Sequence, residues 1–126
     1  MIAASVQVSA PSTKSFKDLI VWQKAYQLVL KIYKITEAFP KTELYGLASQ
    51  IRKSAVSIPS NIAEGYGRRS SREYRQFLAI AYGSRCELET QYLLAIDLGF
   101  ASPDSEIEGL IDEVGKILYR LNNPER

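Results

Sequence analysis

The chain has 126 residues, 46% of them apolar and 24% charged, with a net charge of +2 at neutral pH. That size fits one domain, and folding should bury about two-thirds of the extended chain's surface, so disulfides and metals are not needed for a core. No apolar run approaches the roughly 20 residues of a membrane span, the first fifteen residues carry no signal-peptide pattern, and the single Cys86 excludes an internal disulfide, so a reducing cytoplasm is the expected compartment.

Residues 1–15 are small and mixed, with no usable period, and are expected to form a flexible tail ahead of a domain over residues 16–122. From Asp18 to Ala38, Leu19, Trp22, Tyr26, Val29 and Tyr33 recur at steps of three and four, with Val21, Ala25, Leu28, Ile32 and Ile35 beside them. This makes a helical stripe wider than one partner requires. Asp18 is the expected cap, and Phe39-Pro40 is the expected stop.

A second helix follows, with Leu44, Leu47, Ala48, Ile51, Ala55, Ile58 and Ile62 on one face. Beside it runs a polar line, Gln50, Ser54, Ser57 and Asn61, spaced four, three, four. It reads either as a close, hydrogen-bonded seam against another helix or subunit, or as a serine-rich exposed flank. Pro59 removes one donor inside this helix and predicts a kink. Gly65 is expected to end the helix in the left-handed conformation, with Gly67 just beyond it.

Ser70-Ser71-Arg72-Glu73 has the form of a capping box. The third helix then carries Tyr74, Phe77, Leu78, Ala81, Leu88, Tyr92 and Ala95 to about Leu98, a length of about 43 Å. Gly83-Ser84 in its middle predicts a close helix crossing. Arg85 falls on its apolar side and is expected to reach Glu89, while Cys86 is expected to be buried and inert. Gly99 stops the helix. Ser102-Pro103-Asp104 opens a fourth, with Ser102 as the expected cap and Ile107, Leu110, Ile111, Val114, Ile117, Leu118 and Leu121 on its face. Asn122-Asn123-Pro124 closes it, leaving residues 123–126 as a short tail. Four helices, short turns and no strand pattern predict an all-α, up-down-up-down antiparallel four-helix bundle.

Charge is unevenly spread along the chain. Residues 1–40 carry +3, residues 41–85 carry +5 and residues 86–126 carry −6. Either the segments neutralise one another when packed, or the basic middle is a surface for nucleic acid. Most other chemistry is missing. There is no histidine, hence no usual general base or zinc ligand. No phosphate loop or dinucleotide fingerprint occurs. No cofactor, metal site or catalytic residue is expected, and Glu64 is expected to pair with Arg68 or Arg69 or to cap backbone amides. The candidate nucleic-acid contacts are Arg52, Lys53, Arg68, Arg69, Arg72 and Arg75, with Tyr66 and Tyr74 near enough to stack on bases.

The series Phe16-x-Asp18-Leu19-x-Val21-Trp22-Gln23-x-Ala25, then Leu47-x-x-Gln50-Ile51-Arg52-x-Ser54-Ala55-Val56-Ser57-Ile58-Pro59-x-Asn61-Ile62-Ala63-Glu64-Gly65-x-Gly67-Arg68, is distinctive. With Phe77-Leu78-x-Ile80-Ala81-x-Gly83-Ser84-x-x-Glu87-Leu88, it resembles the bacterial four-helix bundle proteins encoded by intervening sequences in large-subunit ribosomal RNA genes. Proteins similar to these serve as accessory factors of diversity-generating retroelements. The resemblance implies a homopentameric, barrel-like ring without catalytic activity. For the retroelement relatives it also implies a basic surface that binds nucleic acid and a reverse transcriptase. Arg52, Asn61, Glu64 and Arg68 match the motif, and Arg69, Arg72 and Arg75 add to the basic surface.

Overall fold

In the computed structural model, which describes residues 15–124, four helices follow one another: α1 (Ile20–Thr36), α2 (Leu47–Tyr66), α3 (Ser71–Asp97) and α4 (Ser105–Asn122). The expected N-terminal tail lies outside the described residues except for Ser15, as do the last two residues of the expected C-terminal tail. One core runs the length of the molecule. Val21, Ala25, Leu28 and Ile32 meet Ile51, Ala55, Ile58 and Ile62 there, with Leu78, Ala81, Leu88 and Tyr92 from α3 and Ile107, Ile111, Val114 and Leu118 from α4. These are the residues at steps of three and four, buried because each apolar stripe has no other cover.

The contacts fix the topology. Arg52, near the start of α2, reaches Thr36 at the end of α1, while Trp22 and Ala63 line one groove at the opposite ends of those helices. Ser57 meets Ser84, and Gly65 meets Phe77, so α2 and α3 run in opposite directions. Tyr92 bonds the start of α4, and Tyr82 approaches Tyr119 near its end. Lys24–Glu113 and Lys31–Glu106, at 3.3 and 2.9 Å, close the ring between α1 and α4. Each helix is thus antiparallel to both its neighbours, the up-down-up-down bundle.

Several ends differ from the local reading. Asp18 lies in a 3-10 turn, Phe16–Asp18, which Ser15 caps through the Lys17 amide, so α1 starts two residues later than Asp18 with Leu19 at its cap position. A second 3-10 turn, Lys41–Glu43, occupies the start expected for α2; Glu43 reaches forward to the Leu47 amide at 3.0 Å, and Leu44 stays 51% exposed rather than joining the core. Asp104, not Ser102, caps α4, accepting from the Ile107 amide at 3.0 Å. The helix begins at Ser105, so Pro103 lies before the cap and not at the first helical position.

Glycine roles also move. Gly65 is buried within α2, and the left-handed glycine is Gly99, with φ of 80°. Around Gly99 the Phe100 amide bonds Ala95 O at 2.9 Å and the Gly99 amide bonds Ile96 O at 3.0 Å, a Schellman stop. Gly83 itself meets no neighbour, and the close approach expected at Gly83-Ser84 is made by Ser84, whose hydroxyl meets that of Ser57 on α2 at 2.7 Å. The tight contact is at Gly65, where a β-carbon would stand 2.7 Å from that of Phe77. Cys86, expected to be buried, is exposed.

Candidate nucleic-acid interface

The turn between α2 and α3 is built from its glycines outward. Absence of a side chain at Gly65 lets α3 close in, with Tyr74 packed beside the backbone at what would be 3.2 Å from a β-carbon. Gly67 caps α2 through its amide to Ala63 O at 3.2 Å, and the Arg68 amide bonds Gly65 O at 3.0 Å. The chain then restarts at Ser70, whose hydroxyl accepts from the Glu73 amide at 3.1 Å, the serine half of the capping box. Pro59 is buried inside α2. Two residues on, Asn61 donates to Ser57 O at 2.8 Å and to the Ser57 hydroxyl at 3.0 Å.

Six basic residues were candidates, and they do not form one cluster. Arg52 lies sixteen residues before Arg68 on or just beyond the same helix, about 24 Å away by helical rise. Its Nε donates to Thr36 Oγ1 at 2.7 Å and its guanidinium lies 4.7 Å above the Tyr33 ring, so it is spent on holding α1 to α2. Lys53 stands beside it, exposed at a polar groove lined by Gln50, Ser54, Ser57, Ser84 and Glu87. Arg68 is at the turn but engaged: Nη2 bonds Glu64 at 2.7 Å, and the guanidinium covers Phe77 at 4.7 Å. Glu64 is thereby an exposed ion-pair partner, a contact of little energetic weight.

Arg69, Arg72 and Arg75 remain. All three are exposed, and among the described residues they make no hydrogen bond or ion pair. Arg72 stands in the first turn of α3, where open amides and the helix dipole add positive potential. Tyr66 and Tyr74, proposed to stack on bases, are each half-buried. Burial, then the neighbouring Tyr66, raises the Tyr74 phenol above its usual value, as expected of a ring committed to the α2–α3 contact.

The polar line on α2 faces α3 of its own chain. The Ser57 and Ser84 hydroxyls share a hydrogen bond of 2.7 Å, and Ser54 is buried at 5% exposure. For Ser57 the seam's partner is therefore a helix of its own chain, while Gln50 sits at the exposed end of the groove.

Sequence reading missed the contribution of α4. Its acids Glu106, Glu108, Asp112 and Glu113 occupy the first half, and Lys116 and Arg120 the second. Antiparallel packing brings that second half to the same end of the bundle as the α2–α3 turn. Among the described residues, with every helix divided at its midpoint, this end holds eight Lys and Arg against three Asp and Glu, and the other end six against ten. The bundle is polar from end to end. The available signal was the change of sign within α3 and within α4, each basic in one half and acidic in the other, and it needed the topology to be used.

Among the described residues, no group of three or more His, Cys, Asp or Glu could hold a metal, and no helix is long and apolar enough to cross a membrane. A search of the curated proteins found no match to the chain. A family model described as 23S rRNA-intervening sequence protein matches residues 17–122, all four helices with their connecting turns. The chain belongs to the family of 23S rRNA-intervening sequence proteins.

Proposed function

We propose that this protein is a non-enzymatic, homo-oligomeric four-helix scaffold, pentameric by its family resemblance, that holds RNA or DNA against the end of the bundle bearing the α2–α3 turn. The observation that carries the reading is the separation of charge, eight basic against three acidic residues at that end, with Arg69, Arg72 and Arg75 free of protein acids. A guanidinium with no protein partner can take a phosphate bidentately without first giving up a salt bridge. Likeness to the retroelement accessory proteins extends the proposal to a reverse transcriptase as protein partner.

Salt dependence tests the nucleic-acid half. Affinity for a structured RNA should fall with salt, and Arg69→Ala/Arg72→Ala/Arg75→Ala should make that log–log slope shallower by about 2–3, near one per arginine. Equally weak binding by both proteins, with no change in slope, overturns it. That result leaves the second reading, an oligomer that is structural or binds protein only. This has its own support in the apolar residues Leu30 and Val56, which are 55% and 39% exposed beside the α1–α2 groove.

A further inference from the structure

On the flank between α3 and α4, Arg85 lies across the face of α4 where Gly115 has no side chain. A β-carbon at Gly115 would overlap the guanidinium, its Cζ standing only 2.7 Å away. Arg85 Nε donates to Ile111 O at 3.0 Å and Nη1 lies 3.4 Å from Glu89, so this nearly buried arginine forms a fixed floor. Above it opens a cavity of about 330 Å³, near the low end of small-ligand sites at about 300–1,000 Å³. Tyr82 and Tyr119 flank the opening with ring centroids 6.4 Å apart, and Lys116 and Arg120 stand one turn apart on α4 at its edge.

The charges there are loosely held. Lys116 pairs with Asp112 at 3.1 Å, but both are well exposed, and such a pair exchanges readily for another partner. Arg120 has no side-chain partner among the described residues. Tyr119 is 52% exposed, presenting aromatic surface beside two cations. Cations that can close on a phosphate, next to rings on which a flat heterocycle can stack, form the recognition set for a nucleotide. Asp112 adds an acceptor suited to a sugar hydroxyl.

The geometry points to a nucleotide site in the α3–α4 cleft: a phosphate ester held by Lys116 and Arg120 over the Arg85 floor, with its base against Tyr82 and Tyr119. A free mononucleotide and an unpaired nucleotide of an RNA strand share this chemistry. Lys116 and Arg120 belong to the same basic end as the surface proposed above, but the site needs none of Arg69, Arg72 or Arg75, so the two are separated by which cations they use.

Titration of the full-length protein, followed through the ring signals of Tyr82 and Tyr119, tests it. The probes are adenosine monophosphate, inorganic phosphate and a short single-stranded RNA. Adenosine monophosphate should shift both rings saturably at about millimolar concentration or below, with inorganic phosphate at least roughly tenfold weaker because it lacks the stacking base. Lys116→Ala/Arg120→Ala, both at surface positions, should weaken binding roughly tenfold or more. Arg69→Ala/Arg72→Ala/Arg75→Ala should leave mononucleotide binding unchanged.

Response to the mononucleotide identifies a free ligand. Response to the RNA alone, lost in the Lys116/Arg120 variant, identifies a strand nucleotide. Rings that move with neither probe overturn the site, as does a Lys116/Arg120 variant that binds like wild type. Loss of mononucleotide binding in the three-arginine variant also overturns it, since the ligand would then sit at the bundle's end.

Discussion

Tyr92 is buried on α3, and its hydroxyl donates to Glu108 at 2.8 Å while accepting from the Asp104 amide at 2.7 Å. Burial chiefly raises the phenol above its usual value of 10.0; the Asp104 backbone hydrogen bond, next in size, lowers it, and the hydrogen bond and charge of Glu108 raise it further. A raised value means that the folded protein holds the proton more tightly than the unfolded chain does. The associated stability is complete below pH 10 and is lost as pH rises through the folded value. Tyr92→Phe should lower stability by about 1–3 kcal/mol at pH 7, because the Asp104 amide loses its partner. It should also reduce the loss seen above pH 10; urea unfolding at both pH values measures this, and equal alkaline slopes would refute it. Gly65 makes a second prediction. Alanine is the better helix former by about 1 kcal/mol, yet its β-carbon would crowd Phe77 at 2.7 Å. Gly65→Ala should therefore melt lower, the overpacking costing about 1–3 kcal/mol. The sequence marks Gly65 as special but suggests a helix stop, because its neighbour Phe77 lies twelve positions away and leaves no local trace. Gly83 misleads in the opposite sense, a mid-helix glycine with open space around it.

Among the elements, α2 shows best what a repeat pattern can and cannot say. Its apolar face was legible because Ile51, Ala55, Ile58 and Ile62 repeat at steps of three and four, and all four are buried. The polar line beside it was legible as a line, but its partner was not. Serines are compatible with solvent, a subunit or a helix, and only the place of Ser84 on α3 decides among them. Because the Ser57 and Ser84 hydroxyls meet at 2.7 Å inside the chain, Ser57→Glu should destabilise the fold and not merely dissociate an assembly. A carboxylate forced into that half-buried seam should cost about 2 kcal/mol or more. Circular dichroism during urea unfolding would show a lower midpoint, and an unchanged midpoint would put Ser57 outside the seam. Helix ends were read less well than faces. Ser70 caps α3 as its pattern suggested, but Asp104 takes the cap expected of Ser102, and α2 begins at Leu47, behind Glu43, and not at the expected Leu44.

At the scale of the whole molecule, the antiparallel bundle turns a charge gradient along the chain into polarity along an axis. The basic first segment of the sequence and its acidic end partly neutralise each other, through Lys24–Glu113 and Lys31–Glu106 between α1 and α4. What survives is the excess of base at the α2–α3 end, where the second half of α4 reinforces it. The same packing explains why the stripe on α1 is too wide for one partner. Val21, Ala25, Leu28 and Ile32 face the core, while Tyr26, Val29 and Leu30 join Val56, Pro59 and Ala63 around an open groove of about 350 Å³. An apolar rim of that kind is costly in water and suits a contact with a partner. If the α1–α2 face joins the copies of an oligomer, light scattering of the wild type should give a multiple of 14.2 kDa. Leu30→Glu/Val56→Glu should then return the 14.2 kDa species with its helical signal intact, because both side chains are already exposed in the single chain. A wild type that scatters as 14.2 kDa at high micromolar concentration would remove the oligomer. A double variant that assembles like the wild type would move the interface to another face.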